Sequence, residues 1–132
     1  MNYTFQIWPI HNLILEKMVG KTGLQDYFGA MQIPFSDPDF RSGMNVLTDL
    51  RQVELEFGYE DARALANQIS ESPEMTYGKI AVVSTGTLNF GTIRMMGSAV
   101  EGKGVFSEYQ VFKDYSEARN WLGLPETLEL VI

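Results

Sequence analysis

The chain has no cysteine, a single histidine and few basic side chains. Each shortage removes a chemistry. Without cysteine there is no disulfide framework, thiolate nucleophile, iron–sulfur cluster or Cys-ligated zinc. One histidine, His11, excludes a multi-histidine metal centre. Lys and Arg number 10 against 17 Asp and Glu, a net charge of −7. That balance argues against nonspecific nucleic-acid binding, which depends on basic side chains neutralising phosphates. Long apolar runs are missing too. The longest aliphatic run, Ile80-Ala-Val-Val83, falls far short of the roughly 20 residues that span a bilayer. Residues 1–10 lack a basic n-region and a long apolar core, so they do not read as a signal peptide. There is no terminal lipidation motif. The expected location is cytoplasmic, at most peripheral to a membrane.

What is present suits a globular domain. The 132 residues are 45% apolar, ordinary for a folded protein and enough for one domain over residues 1–132. The period of the apolar residues changes along the chain. Tyr3, Phe5 and Ile7 alternate with polar neighbours as a first strand, and Leu13 through Val19 form a second. A helix is expected from Thr22 to about Gln32, with Thr22 and Gln25 at capping-box spacing. A strand over 45–50 follows, then a helix from Tyr59 to about Ser70 with Ala62, Leu65, Ala66 and Ile69 as its stripe. The continuous apolar run 79–84 reads as a strand buried on both faces. A third helix spans about Leu88 to Glu101, and a strand covers Val105 to Phe112. The last helix is marked by Asp114 and Glu117 at cap spacing and by Gly123 and Pro125 at its end. The order β-β-α-β-α-β-α-β-α predicts an α/β fold: a mixed sheet with flanking helices.

Catalytic motifs are absent. There is no G-x-S-x-G elbow, Walker loop or G-x-G-x-x-G. His11 falls in the hairpin turn, while Gly102-Lys-Gly104 and Asp37-Pro-Asp39 read as turns. In open α/β sheets ligands bind beyond the carboxyl ends of the strands. Asp49, Arg51, Ser84 and Thr87 fall there, and a helix starting near Leu88 would aim free N–H groups at the crevice. With Arg51 or Arg94 nearby, that end suits an anionic head group. The plainer reading is an Asp49–Arg51 or Asp49–Arg94 pair beside an ordinary Ser/Thr helix cap. The third helix is apolar on two sides. Phe90, Ile93, Gly97 and Val100 form one stripe, and Leu88, Met95, Met96 and Ala99 form another. Gly91 and Gly97 weaken it by about 1 kcal/mol each relative to Ala. Such a helix suits a movable cover over an apolar cavity, or packing on a neighbouring helix or dimer partner.

Four segments stand out: Asp39-Phe-Arg-Ser-Gly-Met-Asn-Val-Leu-Thr-Asp-Leu-Arg51, Lys79-Ile-Ala-Val-Val83, Phe90-Gly-Thr-Ile-Arg94 and Val111-Phe-Lys-Asp-Tyr-Ser-Glu-Ala-Arg-Asn-Trp-Leu122. Together they resemble the SpoIIAA-like family of small bacterial proteins, related in fold to STAS and SEC14/CRAL-TRIO domains. The resemblance covers nearly the whole chain and implies a SpoIIAA-type sheet with flanking helices. It also implies two candidate functions. STAS anti-sigma factor antagonists switch partners through a phosphorylated serine after an Asp-Leu pair. Asp49-Leu50 matches that pair, but no Ser or Thr lies between Arg51 and Asn67. CRAL-TRIO domains carry apolar molecules behind a mobile helix.

The expectation is a non-catalytic carrier of a lipid-like or other apolar small molecule, with no cofactor and no metal. The second and third helices would gate a cavity lined by Leu55, Phe57, Tyr59, Leu65, Leu88, Phe90, Ile93, Met95 and Met96. Asp49, Arg51, Ser84, Thr87 and Arg94 would meet a polar head group. Partners would be the apolar ligand, a membrane surface or a protein, and no nucleic acid. The alternatives are a STAS-type interaction module without its phosphorylatable serine and, behind it, an enzyme activated at an interface. Leu128, Leu130 and Ile132 alternate to the end, so the tail would pair with a sheet edge of its own chain or of a second copy.

Overall fold

Each β-strand after the first hairpin is laid beside the one before it, so spatial order equals chain order. The computed structural model describes residues 1–67 and 76–130, with the backbone alone at positions 65, 87 and 88. Strands β1 (Asn2–Trp8) and β2 (Leu13–Thr22) form an antiparallel hairpin. A short 3-10 turn at Pro9–His11 closes it, with Asn12 in the left-handed region at φ 51°. Strands β3 (Met44–Leu55), β4 (Tyr77–Val83) and β5 (Glu108–Phe112) then add in parallel, giving the order β1-β2-β3-β4-β5. Helices α1 (Leu24–Ala30), α2 (Tyr59–Ala66) and α3 (Thr87–Val100) are the crossovers, and α4 (Tyr115–Trp121) follows β5.

This order decides which face each helix covers. Crossovers share one hand, so three successive crossovers stepping in one direction place α1, α2 and α3 on the same face. The strand pleat supplies the matching surface. On β2, Ile14 and Met18 enter a core with Tyr27, Ala30, Ala62, Ile93 and Met96 from those helices. Leu13 and Leu15, on the opposite side of the pleat, enter a second core with Leu47, Ala81, Val83 and Ala118 of α4.

The expected order of elements stands, and several details are corrected. Thr22 is not a helix cap: it is buried as the last residue of β2, and its hydroxyl donates to the Gly20 carbonyl at 3.1 Å. Gly23 takes the cap position without any side-chain bond, and α1 ends at Ala30, short of the expected Gln32. Strand β3 runs on through Glu54 and Leu55 because β2 continues to pair with it, Thr22 opposite Leu55. Strand β5 begins at Glu108, three residues later than expected. Ile69 lies outside the described residues. The tail takes a different course from the one its alternation suggested. Residues 125–130 form no strand; Leu128 and Leu130 pack on the second core. The Arg119 guanidinium donates to the carbonyls of Pro125 (2.8 Å) and Leu128 (2.5 Å). Ile132 lies outside the described residues. Among those residues no helix is long and apolar enough to cross a membrane.

The start of α4 matches its sequence signal. Asp114 Oδ1 accepts from the backbone N–H groups of Ser116 (2.7 Å) and Glu117 (3.3 Å). Replacing Asp114 with Ala leaves both donors bare, and the expected cost is about 1 kcal/mol in urea denaturation followed by circular dichroism.

Candidate ligand cavity

Helices that leave the carboxyl ends of strands return to the amino ends, and there, among the described residues, α1 and α3 border one cavity. Tyr27, Phe28 and Met31 come from the end of α1, and Phe35 from the 3-10 turn Ile33–Ser36. Tyr77 is the first residue of β4. Met96, Gly97 and Val100 come from the last turns of α3, and Phe106 and Tyr109 from the approach to β5 and its start. Between them lies a cavity of about 350 Å³, within the range that holds small ligands. Phe35 stacks on Tyr77 with centroids 4.9 Å apart, and Phe40 meets Phe35 edge-on at 4.9 Å. Phe106 lies 5.3 Å from Tyr109. Such offset and edge contacts hold aromatic walls in place beyond the effect of their burial.

The polar atoms of the walls are mostly engaged. The Tyr77 hydroxyl donates to the Met31 carbonyl, tying β4 to the end of α1. The Tyr109 hydroxyl donates to the Ile93 carbonyl at 2.9 Å. Gly97 makes that second bond feasible, because a Cβ there would overlap the Tyr109 ring. The glycine that looked like a weakness in α3 is a notch for an aromatic side chain.

Beneath the rings, the apolar face of β2 carries one acid. Glu16 is 2% exposed and accepts a hydrogen bond from the Tyr3 hydroxyl at 2.7 Å. Thr48, its register partner on β3, also hydrogen-bonds to it. Burial pushes the Glu16 carboxyl up to about 7, against the pull of those two donors. The phenols of Tyr3, Tyr27 and Tyr77 are all raised, first by burial and then by the Glu16 charge. Tyr109 is raised by burial and by Tyr27. The four tyrosines therefore stay neutral at physiological pH.

The carboxyl ends of the strands hold a different arrangement. Arg51 grips Asp49 with Nε to Oδ1 at 3.0 Å and a terminal nitrogen to Oδ2 at 2.9 Å, and its backbone N–H adds a third bond. Burial alone would raise the Asp49 carboxyl; the Arg51 bonds outweigh it and hold it below its usual range. The guanidinium also lies 4.9 Å from the centre of the Tyr115 ring. Asp49 thus pairs with Arg51 and not with Arg94. Arg94 is exposed on α3, beside a groove along β5 that Phe90, Glu108 and Trp121 share. No Ser or Thr caps α3: Gly86 stands at its N-cap without a side-chain bond. Ser84 is buried with its hydroxyl unpartnered. The Thr87 side chain lies outside the description.

The residues expected to line one cavity are spread out. Met96 lines the aromatic cavity. Ile93 is fully buried in the first core, and Leu55, Phe57 and Phe90 pack against that core half-buried. Tyr59 is half-buried, and Met95 is 44% exposed. The side chains of Leu65 and Leu88 lie outside the description. Helices α2 and α3 pack on each other, while the cavity is lined by residues of α1 and of the last turns of α3. Tyr27, Phe28 and Met31 stand at helical spacing, which carries no sign of their part in it. Glu16 carried a legible signal, one acid on the inward side of an otherwise apolar strand.

A five-stranded mixed sheet with these helices is the SpoIIAA-like fold. A crystal structure of an uncharacterized protein of the DUF3478 family with a SpoIIAA-like fold, from Shewanella loihica PV-4, superposes with a TM-score of 0.51. Identity is 19%, with 83% of each chain covered. At that identity the likeness establishes the fold alone. No protein-family model and no curated protein matches the chain.

Two variants test this geometry. Glu16 binds its proton more tightly folded than unfolded, where its value is 4.5. Stability therefore falls as pH rises from about 4.5 to about 7, by up to roughly 3 kcal/mol. Glu16→Gln lacks this dependence, so urea denaturation at about pH 5 and about pH 8 should show it gaining on the parent at the higher pH. Gly97→Ala should destabilise by about 1–3 kcal/mol despite the better helix former, because the Tyr109 ring must move. A stability increase would place that ring elsewhere.

Proposed function

We propose that the chain is a binding protein, not a catalyst, and that it holds an apolar small molecule in the aromatic cavity at the amino ends of β3, β4 and β5. The observation that carries this reading is the cavity itself, walled among the described residues by six aromatic rings and two methionines. Left empty, such a wall forfeits contacts on one side that an apolar ligand restores. Methionines suit a site that adapts to its occupant. The polar groups on the wall, phenols and the amide of Gln32, orient a ligand and provide no nucleophile–base pair. Compared with the expectation from sequence, the ligand moves from between α2 and α3 to between α1 and α3. The gate moves with it, to the turn 101–104. There Gly102 and Gly104 adopt φ of 84° and 78° and lead the chain to Val105 and Phe106 on the cavity wall.

A neutral naphthylamine fluorophore tests the reading. The parent protein should bind it saturably at one site, and Val100→Phe, which fills the cavity, should weaken binding at least about tenfold while the fold is retained by circular dichroism. Absence of saturable binding, or equal binding by the filled variant, removes the cavity as the ligand site.

A further inference from the structure

The cavity has a one-sided electrostatic character. None of the described residues that line it is Lys, Arg or His. Its walls are largely aromatic, and one basic residue, Lys103, lies in the turn between the lining residues Val100 and Val105. Six of the described lining residues, Tyr27, Phe28, Phe35, Tyr77, Phe106 and Tyr109, are aromatic, and the faces of such rings carry the negative side of their quadrupoles. Helices α1 and α3 both end at its rim, α3 at Val100, which itself lines the wall. A helix carboxyl end carries partial negative charge. Below the wall, the Glu16 carboxyl lies close enough to act electrostatically on Tyr27 and Tyr77, two of the lining rings. A fatty-acid carboxylate would find no counter-charge on these walls. A cation would find ring faces, helix carboxyl ends and a buried acid.

We propose that the cavity selects an apolar cation, a ligand with an aromatic or aliphatic body and an amine or quaternary ammonium group. The inference rests on the binding-protein reading and deepens it. Aromatic rings around a cationic nitrogen form the arrangement that recognises quaternary ammonium groups elsewhere. Glu16 acts through the tyrosines and is the acid whose charge supports the bound cation. The groups facing it are Tyr3 from β1, Thr48 from β3, Tyr27 from α1 and Tyr77 from β4. All of these are neutral near pH 7, whereas Lys17 acts on Asp49 at the other face. Cation affinity therefore rises with pH through the neutral range, as Glu16 loses its proton, and the affinity of a neutral ligand does not.

Three matched probes decide the matter: naphthylmethyl-trimethylammonium, naphthylmethanol and naphthylacetate, titrated by calorimetry at physiological ionic strength against the parent, Val100→Phe and Glu16→Gln. The expected order is cation, then alcohol, then carboxylate, with cation over carboxylate by at least about tenfold. Val100→Phe should lose all three, which separates the cavity from general attraction to an acidic surface. Glu16→Gln should weaken the cation and abolish its pH dependence, leaving the alcohol unchanged. Tight alcohol binding with carboxylate equal to cation overturns the charge selection and leaves the binding-protein reading standing. Failure of all three probes overturns both. Cation binding that survives Val100→Phe overturns the proposal, since the site then lies elsewhere. Should Glu16→Gln fail to fold, the pH profile of the parent with cation and alcohol carries the same test. Equal slopes would overturn the role of Glu16.

Discussion

A carboxyl group placed in the middle of an apolar sheet face must be given donors, and the first face of this protein is arranged around that necessity. Glu16 cannot reach water, so β1 supplies the Tyr3 hydroxyl and β3 supplies Thr48. Burying a lone carboxylate is far more costly than burying a protonated or well-bonded one. That explains a carboxyl held near neutrality instead of one fixed as an ion. The tyrosines above it serve a different end, since their hydroxyls do not go to Glu16. Tyr27, Tyr77 and Tyr109 bring ring bulk for the cavity wall, and a hydroxyl that ties neighbouring elements together, as at Met31 and Ile93.

The two ends of the parallel strands have been put to different uses. At the carboxyl ends, where ligands of open α/β sheets ordinarily sit, Asp49 and Arg51 satisfy each other and Tyr115 covers the guanidinium. A charged pair so engaged has little left to offer a head group. At the amino ends the helices part and aromatic side chains surround the gap. Gly97 allows Tyr109 to lie against α3, and this close approach carries the last turn of the helix and Val100 to the cavity.

Much of this was legible in the sequence. The alternation of Tyr3, Phe5 and Ile7, the continuous run 79–84 and the Asp114–Glu117 cap specify elements whose short-range physics is sufficient. The mixed sheet follows from their succession and the SpoIIAA-like fold from the resemblance, whereas the spatial order β1-β2-β3-β4-β5 comes from the structure. The cavity was not legible, because periodicity says which side of a helix is apolar and not whether a neighbour fills the space beyond it. The stripe of Tyr27, Phe28 and Met31 looks the same facing a filled core or a gap. Thr22 and Gln25 have capping-box spacing, yet strand pairing to Leu55 holds Thr22 in β2. A local signal of about 1 kcal/mol yields to a sheet that extends past it. Gly97 shows the converse, a residue that opposes helix formation and is explained only by a ring 12 positions away.

On the opposite face the cover is fastened by one side chain. Arg119, from α4, bonds the carbonyls of Pro125 and Leu128, and so draws the tail across Leu13, Leu15 and Leu47. No strand pairing supports this segment. Stability in proteins is distributed by cooperative units, and the units with few backbone bonds open first. The sheet therefore has two faces with separate opening energies. Amide exchange in the tail reports detachment of a strap, while exchange in β2 and β3 reports unfolding of the whole.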